Sequence, residues 1–130
     1  MRRCLNYLPT LLVAGVIAYF SLLRSMPVKL PDWDWQNADK LVHGFFYFVF
    51  ALTLVSDLHR DNRQYIITYI LSFFLPIIYG GVIEWLQQYY FAPRTGEWFD
   101  WLADIAGAIT GCAVGYVYYD LCKTKRSSNT

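Results

Sequence analysis

The sequence predicts an all-α fold, an integral membrane bundle of four transmembrane helices, and three observations carry that prediction. The first is composition: of 130 residues, 56% are hydrophobic, 19% aromatic and only 16% charged. A soluble domain carries about a quarter charged residues, and a core this small cannot hide so much apolar surface from water. The surplus has to face lipid. The second is length, because the chain holds four apolar stretches of roughly 18 to 22 residues, enough for a helix to cross a bilayer. The third is the uneven distribution of basic residues over the two sides that four such spans create.

The first span is expected over about 5–23. Arg2 and Arg3 precede it, as in a signal peptide, but the apolar run is longer than a signal core and no Ala-x-Ala-like site follows. It reads as a retained span, with Pro9 in its first turn where a missing N–H is cheap. The second span is expected over about 41–58. The third covers about 65–85 and contains Pro76 followed by Gly80 and Gly81, a pattern that should kink or loosen it. The fourth covers about 99–119. Together they make one four-helix membrane domain over 1–122, and Lys123 to Thr130 reads as a disordered cytoplasmic tail. Cys4, Cys112 and Cys122 show no CxxC spacing and read as free thiols.

Orientation follows from charge. With four spans, one side holds Arg2, Arg3, Arg60, Arg63, Lys123, Lys125 and Arg126. The other holds Arg24, Lys29, Lys40 and Arg94, mixed with Asp32, Asp34, Asp39, Glu97 and Asp100. The positive-inside rule puts both termini in the cytoplasm. Trp33, Trp35, Trp85, Trp98 and Trp101 then fall near the outer boundary, as an aromatic belt would.

The costly polar residues gather on that outer side. Asp39, Lys40 and His43 open the second span, Glu84, Gln87 and Gln88 close the third, Arg94 lies in the short loop, and Asp100 and Asp104 open the fourth. Asp57 and Asp120 are the exceptions, at the inner boundary. A charge at membrane depth costs about 2.5–3.5 kcal/mol by insertion scales, so convergence of three segments on one layer is a functional signal. Asp39 and His43 share a helix face, so the carboxylate can orient the imidazole. Asp104 aligns with Gly107, Gly111 and Gly115, a ladder that lets another helix approach and turns Asp100 and Asp104 into the bundle. Such a mixed-sign pocket can pair internally, bind a zwitterionic or phosphorylated headgroup, or hold a metal. A metal bound by His43, Glu84 and Asp104 has no HExxH-like spacing behind it, so the sequence assigns no metal and no cofactor. Polar residues near span ends also stitch helices together, and for any one of these residues that is the commoner role.

Two blocks carry a family resemblance. Asp39-Lys40-x-x-His43 with Tyr47 one turn on resembles the DKxxHxxxY signature that opens the second helix of VanZ-like proteins. Glu84-x-x-Gln87, then Arg94, Asp100, Asp104, Gly107 and Gly111, is similar to that family's E-x-x-Q … R … D-x-x-x-N-x-x-G-x-x-x-G block. The segment Ser21 to Pro27 fits loosely. One position departs: Asp104 stands where the family has Asn, exchanging a neutral amide for a carboxylate. The resemblance implies an integral membrane protein of the bacterial cell envelope, in a family whose founding member is associated with resistance to the glycopeptide teicoplanin.

The expected function is a cytoplasmic-membrane accessory protein whose outward polar pocket engages an anionic envelope lipid or a lipid-linked cell-wall precursor. Asp39, Lys40, His43, Glu84, Gln87, Arg94, Asp100 and Asp104 are the candidate binding residues. Arg94 and Lys40 would bind phosphate, with Glu84 and Asp100 holding Arg94 in place. One alternative is a membrane enzyme that hydrolyses or transfers a lipid-linked group, with His43 and Glu84 as acid and base. The other is a helix-packing partner for another membrane protein. A nucleic-acid partner is not expected.

Overall fold

The computed structural model describes the backbone of residues 6–23, 35–61, 64–90 and 98–127, and the side chains of 6–22, 40–61, 64–90 and 98–122. Within them the chain is helical: α1 (Leu8–Ala18) runs on into a π-helical turn (Tyr19–Leu23), followed by α2 (Trp35–Arg60), α3 (Tyr65–Tyr90) and α4 (Trp98–Ser127). The expected all-α bundle of four helices is the one formed. Three stretches are long and apolar enough to cross a membrane: Lys40–Arg60, Tyr65–Tyr90 and Trp98–Cys122. The first apolar helix, Leu8–Leu22, is shorter than these. Large apolar side chains point outward on every helix, among them Leu11 at 63% exposed, Phe45 at 64%, Ile66 at 64% and Phe99 at 67%. In water such an apolar exterior would be a large penalty, whereas a lipid solvent makes it neutral. This is a membrane protein.

The tightest seam joins α2 to α4. The predicted glycine ladder builds it: a methyl group added at Gly107 would run into the Gly44 carbonyl, and one at Gly111 into the Phe48 carbonyl. Backbone meets backbone there, so dispersion contacts that side chains would otherwise block hold the two helices together. Ala51, Val55, Ala108 and Cys112 fill the seam between the glycines. On the other side of α2, Ile17, Tyr47 and Phe50 form a second core, with Tyr79 of α3 against it.

Pro76 lies inside α3, and the helix is continuous across it. Proline has no N–H for the carbonyl four residues back, here Ser72. The Cys112 thiol of α4 donates to that carbonyl at 3.0 Å. A thiol read from sequence as a small packing group therefore satisfies the backbone acceptor that proline leaves open. Cys112 and Cys122 are both free, as expected; Cys4 lies outside the described residues.

One boundary differs from expectation. Helix α4 continues through Ser127, so Lys123 to Ser127 are helical and not a disordered tail.

Candidate functional site

Helices α2 and α4 begin at the same end of the bundle, and α3 finishes there. That end brings together His43 from the early turns of α2, Asp104 from α4 and Glu84 from α3. Each contributes one ligand-type atom, and these atoms all lie within 4.8 Å of one another. His43 Nδ1 sits 3.1 Å from Asp104 Oδ1, with His43 7% and Asp104 1% exposed. Glu84 is half-buried as a residue, while its Oε1 is fully buried.

Among the described residues a carboxylate facing His43 is Asp104, delivered across the α2–α4 seam. The sequence favoured Asp39, one turn away on the same helix, whose side chain lies outside the described residues. The physical reason is the glycine ladder: with Gly107 one turn along, α4 comes close enough to insert Asp104 beside the imidazole.

Asp104 Oδ2 is buried and has no hydrogen-bond partner, and neither has the hydroxyl of Tyr47, which is 1% exposed. Both lie near Gly80 of α3. A Cβ built there would be 2.9 Å from Asp104 Oδ2 and 3.3 Å from the Tyr47 ring, so glycine keeps open the small space these groups share. A buried acceptor without a donor costs about 1–3 kcal/mol, and more when charged. Tyr47 and Gly80 stood in sequence one turn from His43 and one turn before Glu84, and that spacing is the signal that places them here.

Beside this cluster a groove of about 540 Å³ runs between α3 and α4, lined by Gly81, Glu84, Trp85, Gln88, Trp98 and Trp101. Trp98 is 78% exposed at its mouth, and Trp101 is fixed by donation from Nε1 to the Ile77 carbonyl at 3.1 Å. Glu84 thus belongs to both the cluster and the groove.

The other candidates divide. Asp100 is buried one turn from Asp104. Gln87 is 4% exposed and donates from Nε2 to the Ser21 carbonyl at 2.8 Å, so it ties α3 to the π-helical turn and does not face the groove. Its neighbour Gln88 faces the groove instead. Lys40 lines a separate shallow depression over the α2–α4 seam with Leu41, Gly44 and Ala103. It is not part of the groove. Arg94 lies outside the described residues.

Comparison with known proteins finds no matching family model, no matching curated protein and no matching solved structure. The site's own chemistry carries the functional argument: a carboxylate–imidazole–carboxylate cluster buried among apolar helices, next to a groove rimmed by indoles.

Proposed function

We propose that this chain is a VanZ-like, multi-pass protein of the bacterial cytoplasmic membrane, with both termini cytoplasmic, whose extracytoplasmic groove binds the headgroup of an anionic lipid or a lipid-linked cell-wall precursor. The observation that carries the reading is the groove itself, in which an apolar indole rim leads to the polar cluster of His43, Glu84 and Asp104. Its volume lies within the range of about 300–1,000 Å³ common for small-molecule sites. Indoles at a span end belong at the headgroup level, where a lipid can enter sideways with its chains still in the bilayer. The basic residues Arg2, Arg3, Arg60, Arg63, Lys123, Lys125 and Arg126 support the orientation. Arg94, in the loop between α3 and α4, is the cation assigned to the phosphate. Membership of an antibiotic-resistance family rests on the two sequence blocks alone.

The test is mass spectrometry of lipids retained by protein purified in mild detergent, with Arg94→Ala and Trp98→Ala alongside. Enrichment of one phosphorylated lipid, lost in both folded variants, is the expected result. A lipid profile that matches the bulk membrane in all three proteins would remove the headgroup reading and favour a helix-packing role. Reporter fusions that place Arg94 in the cytoplasm would overturn the orientation.

A second reading has its own observation. His43, Glu84 and Asp104 place ligand-type atoms within 4.8 Å of one another, close enough for an acid and a base to act on one group, so the site can serve a membrane enzyme that hydrolyses or transfers a lipid-linked group. It predicts that folded Glu84→Gln binds the lipid and no longer turns it over.

A further inference from the structure

We infer that His43, Glu84 and Asp104 bind one divalent transition-metal ion of the zinc or manganese class, with coordination positions left open toward the groove. Three elements deliver the three side chains, and their ligand atoms fall within 4.8 Å of one another. Two ligands of one tetrahedral ion at about 2.0–2.2 Å stand about 3.4 Å apart, so small rotamer movements close this set around an ion.

A second, independent observation points into the same space. Asp104 Oδ2 is buried without a hydrogen-bond partner, in a residue 1% exposed, and the Tyr47 hydroxyl beside it is likewise unpartnered. Gly80 leaves the room, because any larger residue would press on Asp104 Oδ2. Here one oxygen of Asp104 meets His43, and the other has no hydrogen-bond partner and no cation beside it among the described residues.

The donor set selects the class of ion. Imidazole suits zinc, and carboxylates extend the range toward manganese, while the absence of thiolate from the set disfavours the softest ions. Three protein ligands resemble open sites, which hold a water or an incoming oxygen in the remaining position. The inference does not depend on what occupies the groove.

The experiment uses tag-free, full-length protein in mild detergent, stripped with EDTA, re-equilibrated with ZnCl2 or MnCl2 and desalted before elemental analysis. One Zn²⁺ per chain is expected in the wild type, with Zn²⁺ held more tightly than Mn²⁺. Affinity should fall at least tenfold in Asp104→Asn and Glu84→Gln. It should be unchanged in His59→Gln, which removes the other of the chain's two histidines. Co²⁺ should give a visible absorption band that disappears in His43→Gln. Lower pH should release the ion, because protons compete for all three ligands. Helical, monodisperse wild-type protein that retains no stoichiometric metal would overturn the inference whether or not the variants fold. So would equal loss in His59→Gln. Since the readout is metal content, selective lipid retention without metal would remove the ion site and leave the headgroup reading standing, and the reverse result would do the opposite.

Discussion

Three aspartates lie buried among the described residues, Asp57 toward one end of the bundle and Asp100 and Asp104 toward the other, and the surroundings of Asp57 and Asp104 differ. Asp57, 0% exposed on α2, receives both the backbone N–H and the hydroxyl of Thr10 on one oxygen, at 3.1 and 2.6 Å. Its other oxygen, like Asp104 Oδ2, has no hydrogen-bond partner, and faces the half-exposed Arg60 guanidinium at 3.6 Å. It closes the first turn of α1 from 47 residues away in sequence, supplying the cap that Tyr7 does not. Around it stand a Tyr7–Asp61 hydrogen bond, a Tyr65–Asp120 hydrogen bond, and a His59 ring stacked on Tyr119. Asp104, equally buried, has one oxygen on His43 and one with no partner. Each carboxylate leaves one oxygen without a hydrogen bond, and the difference is that a guanidinium stands beside that oxygen of Asp57 while no cation among the described residues stands beside that of Asp104. Asp57 finishes a helix; Asp104 belongs to the cluster with His43 and Glu84.

The comparison can be broken by substitution. The largest effect should come from Asp57→Ala, which strands the buried Thr10 N–H and hydroxyl and should lower stability by about 2–4 kcal/mol. Thermal unfolding in detergent reads that loss, and zinc content per folded chain should not change. Gly107→Ala comes next. Its methyl would meet the backbone of Gly44, which cannot rotate away, so overpacking should cost about 1–3 kcal/mol and move Asp104 off His43. Gly115→Ala meets only the Val55 side chain and should cost less.

A smaller effect is expected of Cys112→Ala, about 0.5–1.5 kcal/mol, because the Ser72 carbonyl above Pro76 loses its donor. Cys112→Ser keeps a donor and should recover most of that loss. Smallest of all should be Asp104→Asn, which keeps the shape of the side chain and removes a buried charge. Its unfolding midpoint should stay within about 1 kcal/mol of wild type, or rise, as expected where a site trades stability for function. A drop as large as that of Asp57→Ala would make the two ends alike.

Much of this was legible in the sequence, and the limits have physical causes. Apolar length placed α2, α3 and α4 within a few residues, since a bilayer demands it. The Gly107–Gly111 spacing announced the close seam, because a periodic row of small residues has little other use. His43, Glu84 and Asp104 were named for their cost at membrane depth. One pairing was not legible: local spacing pointed His43 to Asp39, and nothing in it announced Asp104, which helix approach brings to the same imidazole. Gln87 looked like a site residue and turned out to bond Ser21, because the carbonyls of a π-helical turn need donors that sequence periodicity does not reveal. Asp57 was set aside as a boundary charge, since its partner Thr10 is too distant in sequence to suggest itself.

The most direct test is native mass spectrometry of wild type, Asp57→Asn and Asp104→Asn from one membrane preparation, scored for retained phosphorylated lipid per folded chain. The account predicts retention in wild type and in whatever Asp57→Asn remains folded, with loss in a fully folded Asp104→Asn. Retention by Asp104→Asn at the wild-type level would contradict it and leave Asp104 a packing residue like its counterpart at the other end.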